Sequence, residues 1–136
     1  MRVRLELPET VLYQYEISVR VTDINYAGHV GNDRFLIYAQ EARSAWIESL
    51  GYKEWEIEGC HTILADAAIQ FMNEAFASES LVITVLLGEQ HKYGIDLYYS
   101  VTRGGDEIAR MKTAMLFRSE ETQQLSAPPS QLINKF

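Results

Sequence analysis

One stretch of the chain has helical periodicity, and the runs available to bury it have the periodicity of strands. Phe35, Tyr38, Ala39, Ala42, Trp46 and Leu50 recur at spacings of three and four. That stripe predicts an amphipathic helix over residues 33 to 50. Asn32 or Asp33 is a candidate cap, Val30 a candidate staple on the first turn, and Gly51 a natural stop. Arg34, Gln40, Arg43, Ser44 and Glu48 fall on the opposite face. A lone amphipathic helix must bury its stripe against a sheet.

The rest of the chain supplies that sheet. Residues 13 to 22 alternate, with Ile17, Val19 and Val21 on one side. Four further runs read as strands: 61 to 72, 80 to 88, 93 to 103 and 106 to 118. In the first of these Ile63, Ala65, Ala67, Ile69 and Phe71 share a face. In the last, Ala109, Met111, Thr113, Met115 and Phe117 alternate with Ile108, Arg110, Lys112, Ala114 and Leu116. Arg103-Gly104-Gly105-Asp106 is a tight hairpin signal. Residues 52 to 59 read as a short helical turn, 1 to 12 as an edge segment or arm, and 120 to 136 as a linker or docked tail. The order is strand, long helix, four strands. Short connections between the last strands make them antiparallel neighbours. The class is therefore α+β, in one domain over residues 1 to 136.

Composition narrows the partners. Hydrophobic residues make up 47% and charged residues 23%, which suits a soluble globular protein, and the net charge of −7 argues against broad nucleic-acid binding. The one cysteine, Cys60, rules out an intrachain disulfide. Its neighbour His61 points to the opposite face of a strand, so the two are poorly placed to act together. The N-terminus lacks a signal peptide's apolar segment, and no apolar run approaches the ~20 residues a membrane span needs. The expectation is a cytoplasmic protein without a membrane partner. His29, His61 and His91 lie far apart with no metal-ligand spacing, and no phosphate-loop or dinucleotide motif occurs.

Between the first strand and the helix lies Asp23-Ile24-Asn25-Tyr26-Ala27-Gly28-His29-Val30-Gly31-Asn32. Small, polar and titratable groups crowd here at a helix N-terminus, whose free N–H groups hold anions or polarise carbonyls. The loop is a candidate site on that ground alone. With Phe35 and Glu41-Ala42-Arg43 it also resembles the signature of hotdog-fold acyl-CoA thioesterases, in the 4-hydroxybenzoyl-CoA thioesterase-like family. That pattern is Asp-x-Asp-x-x-Gly-His-Val-x-Asn, an aromatic residue, then Glu-x-Ala-Arg or Glu-Ala-Arg. The resemblance implies a hotdog fold, one long helix wrapped by a curved antiparallel sheet. It implies a homodimer or homotetramer formed by edge pairing of sheets, with sites between protomers. It also implies an acyl thioester of coenzyme A or an acyl carrier protein as substrate, with coenzyme A present only as part of it and no other cofactor. The second Asp of the pattern falls on Asn25.

Thioester hydrolysis needs an activated water or a carboxylate nucleophile, and donors for the oxyanion. Asn25 stands where the resemblance expects the base; an amide cannot serve as one, and orients water or a carbonyl instead. It is equally a turn residue. Asp23 is a candidate base or an Asx-turn acceptor. Glu41 is a second candidate base, or a partner for Arg43. His29 is a candidate acid/base group or a loop residue. Gly28, Gly31 and the Asn32 N–H are the substrate-binding and oxyanion candidates. Asp66, in the small-residue run Ala65-Asp66-Ala67-Ala68, either faces water or is functional. Lys92, Arg103, Arg110, Lys112 and Arg118 are candidates for the coenzyme A phosphates, or a solvated strand face. The leading reading is a thioester hydrolase. The rivals are a hotdog protein that binds acyl thioesters or other small ligands without hydrolysis, favoured by Asn25, and a hydration or dehydration reaction on an acyl thioester.

Overall fold

A buried clamp decides where the first strand stops. In the computed structural model, which describes residues 1–136, β1 covers Val11–Ser18 and gives way to a 3₁₀ turn at Val21–Asp23. The expected strand ran on to residue 22. It ends early because the Asp23 carboxylate takes the Arg20 N–H at 3.0 Å while the Asp23 N–H returns to the Arg20 carbonyl at 2.9 Å. Ile17 and Val19 are buried as expected, but the turn throws Val21 outward, 79% exposed.

The helix follows as α1 (Arg34–Ser49), then β2 (Cys60–Phe71), β3 (Ser80–Gln90), β4 (Gly94–Arg103), β5 (Asp106–Ser119), the short β6 (Leu125–Ser126) and α2 (Ser130–Ile133). The strands lie in the order β1-β3-β4-β5-β2, each pair antiparallel, with β6 paired to β5. This is the α+β, helix-on-curved-sheet arrangement of the hotdog fold. Phe35, Tyr38, Ala39, Ala42, Trp46 and Ile47 of α1 are buried in one cluster with alternate residues of β3, β4 and β5. Leu50 only borders that cluster. Arg43, expected on the wet face, is 4% exposed. Asp33, one of the two residues expected there, takes the N-cap position of α1, with helical dihedrals and no side-chain cap bond.

Strand β2 departs from simple alternation. Leu64 pairs with Met115 and Asp66 with Ala114, leaving Ala65 as a bulge. Paired residues share a sheet face, so Ala67, Ile69 and Phe71 lie on the face of Thr113, Met111 and Ala109. Ile63, paired with Leu116, is on the other one. The single apolar face expected from Ile63 to Phe71 is therefore split. Residues 52 to 59 form no helix. They make two tight bridges, Lys53 to Glu56 and Ile57 to Cys60, with Glu58 and Gly59 at φ of 49° and 79°. Successive left-handed residues are incompatible with a right-handed turn of helix.

Both termini are docked. The Leu5 N–H bonds to Gln70 Oε1 at 2.9 Å, and Arg110 reaches the Leu5 carbonyl at 2.8 Å. Leu132 of α2 is buried, and the Phe136 ring lies 5.6 Å from that of Trp46. No helix is long and apolar enough to cross a membrane.

Candidate functional site

The loop of residues 25 to 29 is closed by an Ile24–Val30 bridge. The Asn25 N–H donates to the His29 carbonyl at 3.0 Å, and the Gly28 N–H to the Asn25 carbonyl at 3.0 Å. The Asn25 side-chain oxygen accepts the Ala27 N–H at 2.9 Å, an Asx turn. Gly28 sits at φ 89°, a conformation that favours glycine. The Val30 N–H then bonds to the Ala75 carbonyl and the Gly31 N–H to the Asp23 carbonyl, at 2.9 and 3.0 Å. Thus the loop is tied at one end to the 3₁₀ turn and at the other to the segment between β2 and β3.

Asp23 is 3% exposed, and its carboxylate also accepts the Tyr38 hydroxyl at 2.9 Å. The Arg20 guanidinium lies 3.6 Å away. Burial would raise its pKa, but the bonds from the Arg20 N–H and Tyr38, with the Arg20 charge, outweigh it and hold the carboxyl below the ordinary value. The structure places Asp23 as a buried anion joining the turn to α1, outside both clefts described below.

Two clefts flank the exposed side of α1. The first, about 240 Å³, lies at the helix start between His29, Val30, Asn32 and Phe35 on one side and Phe71 to Ala75 on the other. His29 faces it. Its Nδ1 is 3.2 Å from the Val30 carbonyl, which can only accept, so Nδ1 carries a proton. Nε2 is then directed at Glu74 Oε1, 3.6 Å away. Asn32 lines the same cleft and its N–H has no partner in the protein, whereas the Gly28 and Gly31 N–H groups are both consumed within the loop. Of the three expected oxyanion donors, only Asn32 is available. Glu74 was missed from sequence because it lies far from the motif; Phe71 and Met72 reach the loop only once β2 is folded along α1.

The second cleft runs along α1 beside β2, about 340 Å³, with walls from Leu36, Ile37, Leu64 and Ala67, and with Arg43 and Thr113 below. Arg43 donates from Nε to Glu54 at 3.0 Å and from Nη1 to the Tyr99 hydroxyl at 3.2 Å. Tyr99 in turn lies 2.8 Å from Thr113 Oγ1. So Glu41 is not the partner of Arg43; it is half-buried on the adjoining helix flank and lines neither cleft. Asp66 is exposed at the rim and pairs with Lys112 at 2.8 Å. Cys60 is buried, its sulfur 3.4 Å from the Ser126 hydroxyl, and lies in neither cleft.

Most of the cations considered for phosphates have internal partners. Arg103 pairs with Glu79 and Asp106, Arg110 with Glu107, Lys112 with Asp66, and Arg118 with the Gln123 carbonyl. Lys92 sits over the Tyr93 ring. Arg34, the first residue of α1, stands beside the loop instead. One grouping of potential metal ligands has no signature in sequence spacing. Glu89, His91 and Asp96 at the β3–β4 turn bring ligand atoms within 4.8 Å of one another. His91 bonds to Asp96 at 2.9 Å, and Lys112 lies 3.5 Å from the same carboxylate, so its charge is matched within the protein.

The profile of the thioesterase-like superfamily matches residues 19–136, which is most of the chain. The chain belongs to the thioesterase-like superfamily. Solved structures agree on the fold. A 1,4-dihydroxy-2-naphthoyl-CoA thioesterase from Synechocystis superposes with a TM-score of 0.81 at 20% identity, covering 90% of this chain and 93% of its own. A gentisyl-coenzyme A thioesterase gives 0.81 at 18%, covering 91% and 99%. A DHNA-CoA thioesterase from Staphylococcus aureus gives 0.75 at 16%, covering 84% and 78%. No curated protein matches the sequence.

Proposed function

We propose that this protein hydrolyses an acyl-CoA thioester at the cleft beside the start of α1. The observation that carries this is the free Asn32 N–H and the His29–Glu74 pair facing one cleft in a chain of the thioesterase-like superfamily. The thioester carbonyl oxygen accepts the Asn32 N–H, where the helix dipole favours developing negative charge. His29 Nε2 takes a proton from water as its oxygen bonds to the carbonyl carbon, and Glu74 stabilises the imidazolium. The C–S bond then breaks, the thiolate recovers the proton from His29, and the acid leaves. Asn25 orients the loop and contributes no proton transfer. Arg34, the first residue of α1, stands beside the loop and is the cation we propose for a coenzyme A phosphate.

Hydroxylated aromatic acyl groups are the first substrates to try, because two of the structural relatives carry such groups in their names. The unpaired β2 edge, with Leu64 and Phe71 44% and 45% exposed, supports a homodimer formed there or a tetramer built from it.

The test is thiol release from a panel of short, long and aromatic acyl-CoA thioesters. His29→Gln is expected to lower turnover by about 10²-fold or more, and Glu74→Gln by a smaller factor. Turnover that survives His29→Gln but is lost with Glu41→Gln would overturn the assignment of the base. The amide at Asn25 favours one other reading, binding without hydrolysis. Tight binding without turnover on every substrate, with turnover appearing in Asn25→Asp, would establish it.

A further inference from the structure

The second cleft ends on hydrogen-bond donors that have no acceptor. Arg43 has spent Nε on Glu54 and Nη1 on Tyr99. Its Nη2 has no hydrogen-bond partner, yet the only buried side-chain polar atom without one in the protein is Asp96 Oδ1, which Lys112 faces at 3.5 Å. The Arg43 Nη2 therefore reaches the surface of the groove that Arg43 lines. The next donor follows from the direction of the bonds. Tyr99 is fully buried and accepts from Arg43, so its single proton has only Thr113 Oγ1, 2.8 Å away, to go to. Thr113 accepts that bond and keeps a hydroxyl proton of its own. Thr113 also lines the groove, so a charged and a neutral donor share one floor.

We propose that this floor is a subsite for an oxygen acceptor at the far end of the acyl group, held by the Arg43 guanidinium and the Thr113 hydroxyl. The assignment rests on the hydrolytic reading above for the identity of the ligand, and not for the chemistry of the donors. The acceptor is a hydroxyl or carbonyl oxygen rather than a carboxylate. Glu54 already offsets the Arg43 charge at 3.0 Å, and Asp66 stands at the same rim. A second anion would have no unmatched positive charge to meet.

The spacing sets the length of the group. From Arg34, the first residue of α1, to Arg43 the helix rises about 13 Å at ~1.5 Å per residue. Helical side chains lean back toward the N-terminus, so the guanidinium lies less than that rise, on the order of 10 Å, from the helix start. Leu36, Ile37, Leu64, Ala65 and Ala67 make most of the wall over that distance apolar, with Gln40 the one polar side chain that α1 adds before Arg43. A flat two-ring acyl group with a distal hydroxyl has the required length and polarity.

The experiment compares 6-hydroxy-2-naphthoyl-CoA with 2-naphthoyl-CoA, and the two free acids as ligands in calorimetry. The wild type is expected to favour the hydroxylated member of each pair about 10-fold or more, since a donor site rejects the analogue that leaves it unpaired. Arg43→Lys and Thr113→Val are each expected to bring the ratio toward one, the loss falling on the hydroxylated member. A purely structural role for Arg43 would weaken both members alike and leave the ratio standing. Equal rates and equal affinities for the two members in the wild type, or an undiminished preference in both folded variants, would overturn the subsite. If no thioester is hydrolysed at all, the hydrolytic reading fails and the acid pair still decides the subsite. If thioesters are hydrolysed without preference, the subsite fails and the hydrolytic reading stands.

Discussion

Replacing Tyr38 by Phe removes one oxygen atom and tests whether Asp23 is a clamp or a catalytic base. The hydroxyl is fully buried and donates to Asp23 Oδ2 at 2.9 Å. A hydrogen bond to a charged group contributes about 1.5–3 kcal/mol. The carboxylate keeps the Arg20 N–H at 3.0 Å, so the substitution does not orphan it, and the ring still fills its place. The expected cost is about 2 kcal/mol at pH 7, roughly 6–10 °C in Tm for a chain of this length. Acidification supplies the sharper comparison. The Asp23 carboxyl is held below its ordinary value: burial opposes this, and the bonds from Arg20 and Tyr38 prevail. A depressed carboxylate adds stability that is present above its unfolded pKa of about 3.9 and is lost as pH falls through the folded value. Tyr38→Phe weakens the depression, so the variant has less to lose. The gap between the two proteins should shrink from about 2 kcal/mol at pH 7 to about 1 kcal/mol or less at the acid end of the titration, once pH has fallen through the depressed value and the bond joins two neutral groups. Urea unfolding followed by tryptophan fluorescence, at one protein concentration and with unchanged m-values, measures both. A gap below about 0.5 kcal/mol at pH 7, or one of equal size at both pH values, would refute the clamp. Turnover at 25 °C should persist in the folded variant; a large loss of kcat without a loss of stability would return Asp23 to the chemistry.

Three further outcomes follow from single contacts. Gly28→Ala has open space for its methyl group but forces φ 89° on an L-residue, and should cost about 1 kcal/mol. Gly31→Ala brings its Cβ to 2.8 Å from an Asp33 carboxylate oxygen that can swing away, so it should cost less; thermal unfolding of the pair reversing that order would contradict the loop geometry. His91 is raised above its ordinary pKa by its bond to Asp96, so its contribution is whole below about pH 6.5 and is lost as pH rises through the elevated value. His91→Gln should therefore destabilise at pH 6 and become neutral by pH 9, read from Tm against pH. Leu64→Lys places a charge on the β2 edge and should shift sedimentation toward monomer if copies pair there.

How far the sequence carries depends on whether a feature is local. The stripe from Phe35 to Trp46 and the alternation from Ala109 to Phe117 each encode one face of one element, and both reappear in the core. The Ala65 bulge has no such signal, because a small residue is equally at home in a regular strand; only the pairing of Leu64 with Met115 and Asp66 with Ala114 shows it. Arg43 falls on the solvated face by periodicity for the same reason. A guanidinium is buried only where partners from elsewhere in the chain meet it, here Glu54 and Tyr99, and helical periodicity carries no record of them. The site divides along the same line. The motif marked the loop and the free Asn32 N–H, both set by neighbours in sequence. It also drew attention to a missing carboxylate at Asn25. Once the segment after β2 folds against the loop through the Val30–Ala75 bond, Glu74 stands 3.6 Å from His29 in the cleft at the helix start, which Asn25 does not line. In the proposed mechanism the acidic group is Glu74, and the amide at Asn25 serves the Asx turn that precedes His29.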